Sequence, residues 1–119
     1  MKIIVIGAAG YIGSRLSLFL SEKGNDIVAV CRNIPTFHKE WKNKIQEFIF
    51  GNINDEEIIN KIISLKADII INLVSLDHNQ SEIDPKISMN INVQHTWNLL
   101  NLCLSEHPVK KFIYFSTIH

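Results

Sequence analysis

The first thirteen residues, MKIIVIGAAGYIG, constrain the fold more than any other stretch of this chain. Lys2 to Ile6 is a continuous apolar run rich in β-branched residues, as expected of a strand buried on both faces. Three glycines then fall within seven residues, Gly7, Gly10 and Gly13. Beyond them Ile12, Leu16, Phe19 and Leu20 share one helical face, and Gly24 is placed to stop the helix in a left-handed cap. A helix N-terminus exposes unpaired N–H groups and a partial positive charge, so it attracts phosphate. Gly7 suits the tight turn, Gly10 the close approach of a phosphate to backbone, and Gly13 the packing of helix on strand. A second strand over Asp26–Cys31 completes a strand–helix–strand unit, the context in which such glycines predict dinucleotide binding.

The rest of the chain keeps alternating. Glu47 to Phe50 predicts a third strand. Asn54-Asp55-Glu56-Glu57 predicts a helix start, with Glu57 placed as in a capping box, and Ile58, Ile59, Ile62 and Leu65 form the stripe behind it. Asp68 to Val74 predicts a fourth strand, a helix follows from about Ile87 to Ser105, and Lys111 to Phe115 predicts a fifth strand. Arg32 to Lys44 is the least legible stretch; Phe37 and Trp41 there are spaced to stack on a short helix. Strands with two apolar faces, alternating with helices, predict an α/β fold: a doubly wound parallel sheet in the order 3-2-1-4-5.

Composition serves mainly to exclude. Twelve basic residues balance twelve acidic ones, leaving no electrostatic footprint for nucleic acid or an anionic membrane surface. The two cysteines, Cys31 and Cys103, are too few and too distant for a zinc cage or a disulfide framework, and buried reduced thiols are expected. The five histidines show no metal-binding spacing, so no metal is expected. The N-terminal apolar run has some likeness to a signal peptide, but the glycines interrupt it and Arg15 follows soon after. A cytoplasmic location is expected.

At this point a resemblance is plain. The glycine spacing G-x-x-G-x-x-G is similar to that of the extended short-chain dehydrogenases/reductases, the NAD(P)-dependent epimerase/dehydratase family that acts largely on nucleotide sugars. Gly51-Asn52-Ile53-Asn54-Asp55 resembles the family's G-D-[IL]-x-D segment. Asn52 stands where the family's acid meets the adenine amino group, and its side-chain carbonyl can still accept that hydrogen bond. Asn72-Leu73-Val74-Ser75 resembles H-L-A-A along the nicotinamide ribose. Asp84-Pro85 and Asn92-Val93-Gln94-His95-Thr96-Trp97-Asn98-Leu99-Leu100 resemble D-P and N-V-x-G-T-x-N-L-L, with His95 in place of a glycine. The resemblance implies a Rossmann-type cofactor-binding domain over residues 1–119, cut short before its sixth strand. It implies cofactor contacts from Gly7, Gly10, Tyr11, Ile12, Gly13, Arg32, Asn52, Ile53, Leu73, Val74, Ser75 and Asn92.

Thr117 matches the family's catalytic Ser/Thr, which orients the substrate hydroxyl. The family's base, a tyrosine four residues before a lysine, has no counterpart: Arg15 and Ile118 follow the two tyrosines, Tyr11 and Tyr114, at that distance. The resemblance therefore implies a piece of a larger homo-oligomeric enzyme, inactive by itself, whose remainder supplies the base and the nucleotide-sugar pocket. The alternative is a non-catalytic module that senses NADP redox state. At the end of the second strand Cys31 stands where an NAD-preferring fold places an acid, and Arg32 follows. That pair favours NADP slightly over NAD.

Overall fold

The structure, a computed structural model, describes residues 1–32, 41, 43–53, 55–73, 101 and 111–114. Its strands are β1 (Lys2–Ile6), β2 (Asp26–Cys31), β3 (Glu47–Phe50), β4 (Ile69–Asn72) and β5 (Lys111–Tyr114); α1 (Tyr11–Glu22) and α2 (Glu56–Ser64) lie between them in the chain. All pairings are parallel and the sheet order is β3-β2-β1-β4-β5, as the alternation of the sequence predicts.

Because successive side chains of a strand point to opposite faces, β1, apolar from Ile3 to Ile6, feeds two cores. Ile3 and Val5 join Ile27, Ala29, Cys31, Trp41 and Ile45 on the face that carries α1. Ile4 and Ile6 join Val28, Val30, Ile49 and Ile70 on the face closed by Ile59, Ile62 and Ile63 of α2. The chain moves outward through β2 and β3 and then returns to β4, so right-handed crossovers put α1 and α2 on opposite faces. Full burial of a side chain such as Ile62 stabilises by about 1.5–3 kcal/mol.

Three expectations need correction. Ile12 and Phe19 do not line the buried face of α1, for both are 55% exposed. The buried positions are Gly13 and Ser17, flanked by the partly buried Leu16 and Leu20. The helix lies so close to the strand end that only small residues fit, and the Ser17 hydroxyl satisfies itself by donating to the Gly13 carbonyl at 2.7 Å. The capping box before α2 does not form: Asp55 is the N-cap, without a side-chain cap hydrogen bond, and Asn54 lies outside the described residues. Glu56 and Glu57 still place two carboxylates in the first turn, where the helix dipole favours them. Finally, β4 is shorter than expected. Asp68 stands before it, its carboxylate accepting the Lys2 N–H at 2.9 Å while its own N–H donates to the Lys2 carbonyl.

The stop of α1 is as expected. Gly24 has φ +90°, its N–H donates to the Ser21 carbonyl, and the Asn25 N–H reaches back to Leu20, the paired bonds of a Schellman motif. The end of α2 is less usual, since Lys66 sits at φ +52° where glycine would be free of strain.

Candidate functional site at the carboxyl edge of the sheet

The sheet order reverses between β1 and β4, and the chain leaves β1 through the glycine turn. Gly7 has φ +86°, a backbone conformation that costs a side-chain-bearing residue about 1–2 kcal/mol. The Gly7 and Ala8 N–H groups donate to the Val30 carbonyl on β2, at 2.9 and 3.2 Å, and the Gly10 N–H donates to the Gly7 carbonyl at 3.2 Å. The Ala9 backbone lies near the Cys31 thiol and favours its ionised form. The N–H groups of Gly7, Ala8 and Gly10 are therefore committed within the protein. Helical bonding starts with Ser14 N–H to the Gly10 carbonyl, and among the described residues no acceptor meets the N–H groups of Tyr11, Ile12 and Gly13.

The three motif glycines answer to different causes. A Cβ on Gly13 would sit 2.2 Å from the Gly7 oxygen and 2.9 Å from the Ala8 Cα, so internal packing alone demands glycine there. A Cβ on Gly10 would meet only the Gly7 oxygen at 3.5 Å, an ordinary contact, and its φ of −72° suits any residue. Nothing inside the described chain requires glycine at position 10. What its bare Cα leaves open is the space in front of the helix N-terminus. No acidic residue occupies the first turn of α1 and no side chain caps it, so the partial positive charge is uncompensated. Arg15 adds a full charge close by, its guanidinium 4.3 Å from the centre of the exposed Tyr11 ring.

The parallel register gathers other expected site residues at the same edge. Ile6 is level with Val30 on one side and Asn72 on the other, and Cys31 is level with Phe50. Arg32 emerges exposed from β2. Beyond β3, Asn52 is half-buried and Ile53 is buried in the α2-side core. Leu73 donates its N–H to the Ile6 carbonyl at 2.9 Å, holding the exit of β4 against the glycine turn. Gly7, Gly10, Tyr11, Ile12, Gly13, Arg32, Asn52, Ile53 and Leu73 thus share one edge, while Val74, Ser75, Asn92 and Thr117 lie outside the described residues. Sequence reasoning missed the approach of Ala9 to Cys31. Cys31 is 1% exposed; burial pushes its thiol above its ordinary range, and the Ala9 backbone offsets this in part. The thiol is a neutral, buried group where a carboxylate would be charged.

A parallel sheet that reverses at β1/β4, with an open helix N-terminus at that point, defines a doubly wound, dinucleotide-type fold. The chain belongs to the NAD dependent epimerase/dehydratase family, whose model matches residues 3–119. It is 34% identical to the dTDP-D-glucose 4,6-dehydratase of Dictyostelium discoideum, over 98% of this chain and 29% of that protein. It is equally 34% identical to the UDP-glucose 4-epimerase of Halalkalibacterium halodurans, over 98% of this chain and 35% of the relative. Among solved structures, the UDP-glucose 4-epimerase of Thermotoga maritima, determined with UDP-glucose, superposes with a TM-score of 0.85 at 28% identity, covering 98% of this chain and 38% of that one. The UDP-glucose 4-epimerase of Bifidobacterium longum, in complex with NAD+ and UDP, shares the fold with a TM-score of 0.85 at 23% identity, covering 98% and 37%. The chain thus spans about a third of the relatives it matches.

Proposed function

We propose that this chain is the cofactor-binding part of a nucleotide-sugar enzyme that works by transient hydride transfer, epimerising or dehydrating its substrate. The observation that carries this reading is the open N-terminus of α1: three N–H groups without an acceptor among the described residues, below a glycine whose missing Cβ serves no internal need. That arrangement fits the pyrophosphate of a dinucleotide, with Gly7 making the turn, Gly10 clearing the approach and Tyr11, Ile12 and Gly13 donating. Asn52 and Ile53 would hold the adenine end, and Leu73, Val74, Ser75 and Asn92 the nicotinamide half, as the family resemblance implies. A nicotinamide cofactor bound there supplies a hydride acceptor. Thr117 would orient the sugar hydroxyl that loses its proton. The relatives' names support a nucleoside-diphosphate sugar as substrate.

Within that reading NADP is slightly favoured over NAD. At the end of β2 the buried, neutral Cys31 sets no carboxylate against a 2′-phosphate, and Arg32 is exposed beside it with a planar fork of donors. Titrating NADPH and NADH into the intact protein and into Arg32→Ala tests this, with nucleotide-sugar turnover followed in parallel. A charge-assisted contact is worth about 1–3 kcal/mol in favour of NADPH, and the substitution should abolish that margin. Equal binding of both cofactors by the wild type, or an unchanged ratio in Arg32→Ala, refutes the role of Arg32. Binding of neither refutes the dinucleotide reading.

A further inference from the structure

The outer face of α1, turned away from the sheet, is unlike an ordinary solvated surface. Three of the five large apolar side chains exposed among the described residues stand on it: Tyr11, Ile12 and Phe19, with Tyr11 75% exposed. At about 100° per residue, Tyr11, Arg15 and Glu22 fall on one narrow strip along the helix. Ile12, Phe19 and the C-cap residue Lys23 form a second strip beside it. None of these six joins either core, because the Gly13–Ser17 side of the helix faces inward. The cations lean on the rings, Arg15 at 4.3 Å from the Tyr11 centre and Lys23 at 5.4 Å from that of Phe19. Arg15 and Glu22 are both exposed, and neither has an ion-pair partner among the described residues.

We infer that this face is a two-fold interface with a second copy of the chain, α1 packing antiparallel on α1 of the copy. It does not rest on the dinucleotide reading. In such a contact one patch must complement itself, and the two-fold axis sets each strip against the same strip of the copy. Arg15 and Glu22 share a strip, seven residues or about 10.5 Å apart. They therefore meet Glu22 and Arg15 of the copy, forming two symmetric ion pairs. The level midway between them lies between Leu18 and Phe19, so the two Phe19 residues come level to within about 1.5 Å. The charges thus fix the register, and the aromatic ring supplies apolar area at its centre, a composition typical of interfaces. Antiparallel packing also sets the uncapped N-terminus of each α1 beside the C-terminal end of the other, where the dipoles attract. A parallel pair would instead align the dipoles and hold Arg15 level with its own copy. A helix of twelve residues, about 18 Å long, cannot by itself bury the roughly 800 Å² per partner of a standard interface. The contact is accordingly weak and concentration dependent.

Sedimentation of the intact protein from about 1 µM to about 500 µM, the range in which a small interface associates, tests this. The wild type should double its mass within that range. Arg15→Glu and Glu22→Arg should each weaken the association about tenfold, since either one turns both symmetric pairs into repulsions. The double variant Arg15→Glu/Glu22→Arg restores both pairs with their signs exchanged, and should return to within about threefold of wild type. Phe19→Ala should weaken the association about tenfold by removing both central rings. All three positions are exposed, so the variants should fold, as circular dichroism would verify; if Arg15→Glu does not, Glu22→Arg and Phe19→Ala decide. Association as strong in the folded single variants as in wild type overturns the inference, as does a double variant no better than the single ones. A mass independent of concentration also overturns it and leaves the face to a different partner.

Discussion

Replacing Gly13 by alanine should damage the fold more than any other single-methyl change in the glycine turn. The new Cβ would lie 2.2 Å from the Gly7 oxygen, 2.9 Å from the Ala8 Cα and 3.0 Å from the Gly7 carbonyl carbon. All three are backbone atoms, so no side chain can rotate away. Real Cβ contacts essentially never fall below 3.0 Å, so α1 has to lift from the end of β1, loosening the packing of Leu16 and Leu20 on the sheet. Overpacking costs about 1–3 kcal/mol, and a purely backbone clash belongs at the upper end. Alanine regains about 1 kcal/mol over glycine in helix propensity. The expected net loss is thus about 2 kcal/mol. Urea unfolding of the intact protein, followed by circular dichroism, should show a lower midpoint at an unchanged slope. Gly10→Ala is the control. Its Cβ meets one atom at 3.5 Å, so only an N-cap preference of about 0.5 kcal/mol is at stake, yet dinucleotide binding should fall because the approach to α1 is filled. A Gly13→Ala protein as stable as wild type would refute the reasoning. So would a Gly10→Ala protein that loses more stability than Gly13→Ala.

Lys66→Gly should raise the melting temperature, because glycine at φ +52° avoids a left-handed strain of about 1–2 kcal/mol and gives back part of it in unfolded-state entropy; an unchanged or lower midpoint contradicts this. The Cys31 thiol, with its ionisation pushed above the ordinary 9.0 by burial, should make stability fall with alkalinity. Its contribution is complete below about pH 9 and is lost as the pH rises through the folded value, since the unfolded chain ionises first. Chemical unfolding between about pH 8 and 10.5, compared with Cys31→Ala, should show a steeper decline for wild type; parallel slopes would refute it.

Much of the sheet was legible because a parallel strand buried on both faces needs an unbroken apolar run, which IIVI and IVAVC supply. The glycine turn was legible for the same kind of reason, as few backbones besides φ +86° at Gly7 explain its spacing. What misled was helix facing. Ile12 and Phe19 have the right period for a core stripe, but Gly13 sets the helix–sheet distance, and the close approach turns the small Gly13–Ser17 side inward. Periodicity finds which residues share a face but is blind to how near that face comes. The capping box failed because Asp55 takes the N-cap one residue later than Asn54-to-Glu57 spacing requires. Within the site, Arg32, Asn52 and Leu73 lie at the carboxyl edge, the first suggested by the end of the second strand and the other two by the family resemblance. The approach of Ala9 to Cys31 and the exposure of Phe50 depend on how separate strands are levelled against each other, which no local pattern records.

The central place of β1 also sets a schedule for the growing chain. Its first neighbour, β2, pairs Asp26 with Lys2, a closure that α1 and its Schellman stop bring about early. Its second neighbour comes much later: Lys2 must wait for Asp68, 66 residues on, before its N–H finds a carboxylate. At about 5–20 residues per second of synthesis, that interval is roughly 3–13 s. Throughout it, one edge of a strand apolar from Ile3 to Ile6 stands open as a template for foreign strands. Nascent chains halted after β3 should therefore be bound by chaperones or aggregate, and chains halted after β4 should be released, so that Ile69–Asn72 acts in biogenesis as the seal on the central strand of the sheet.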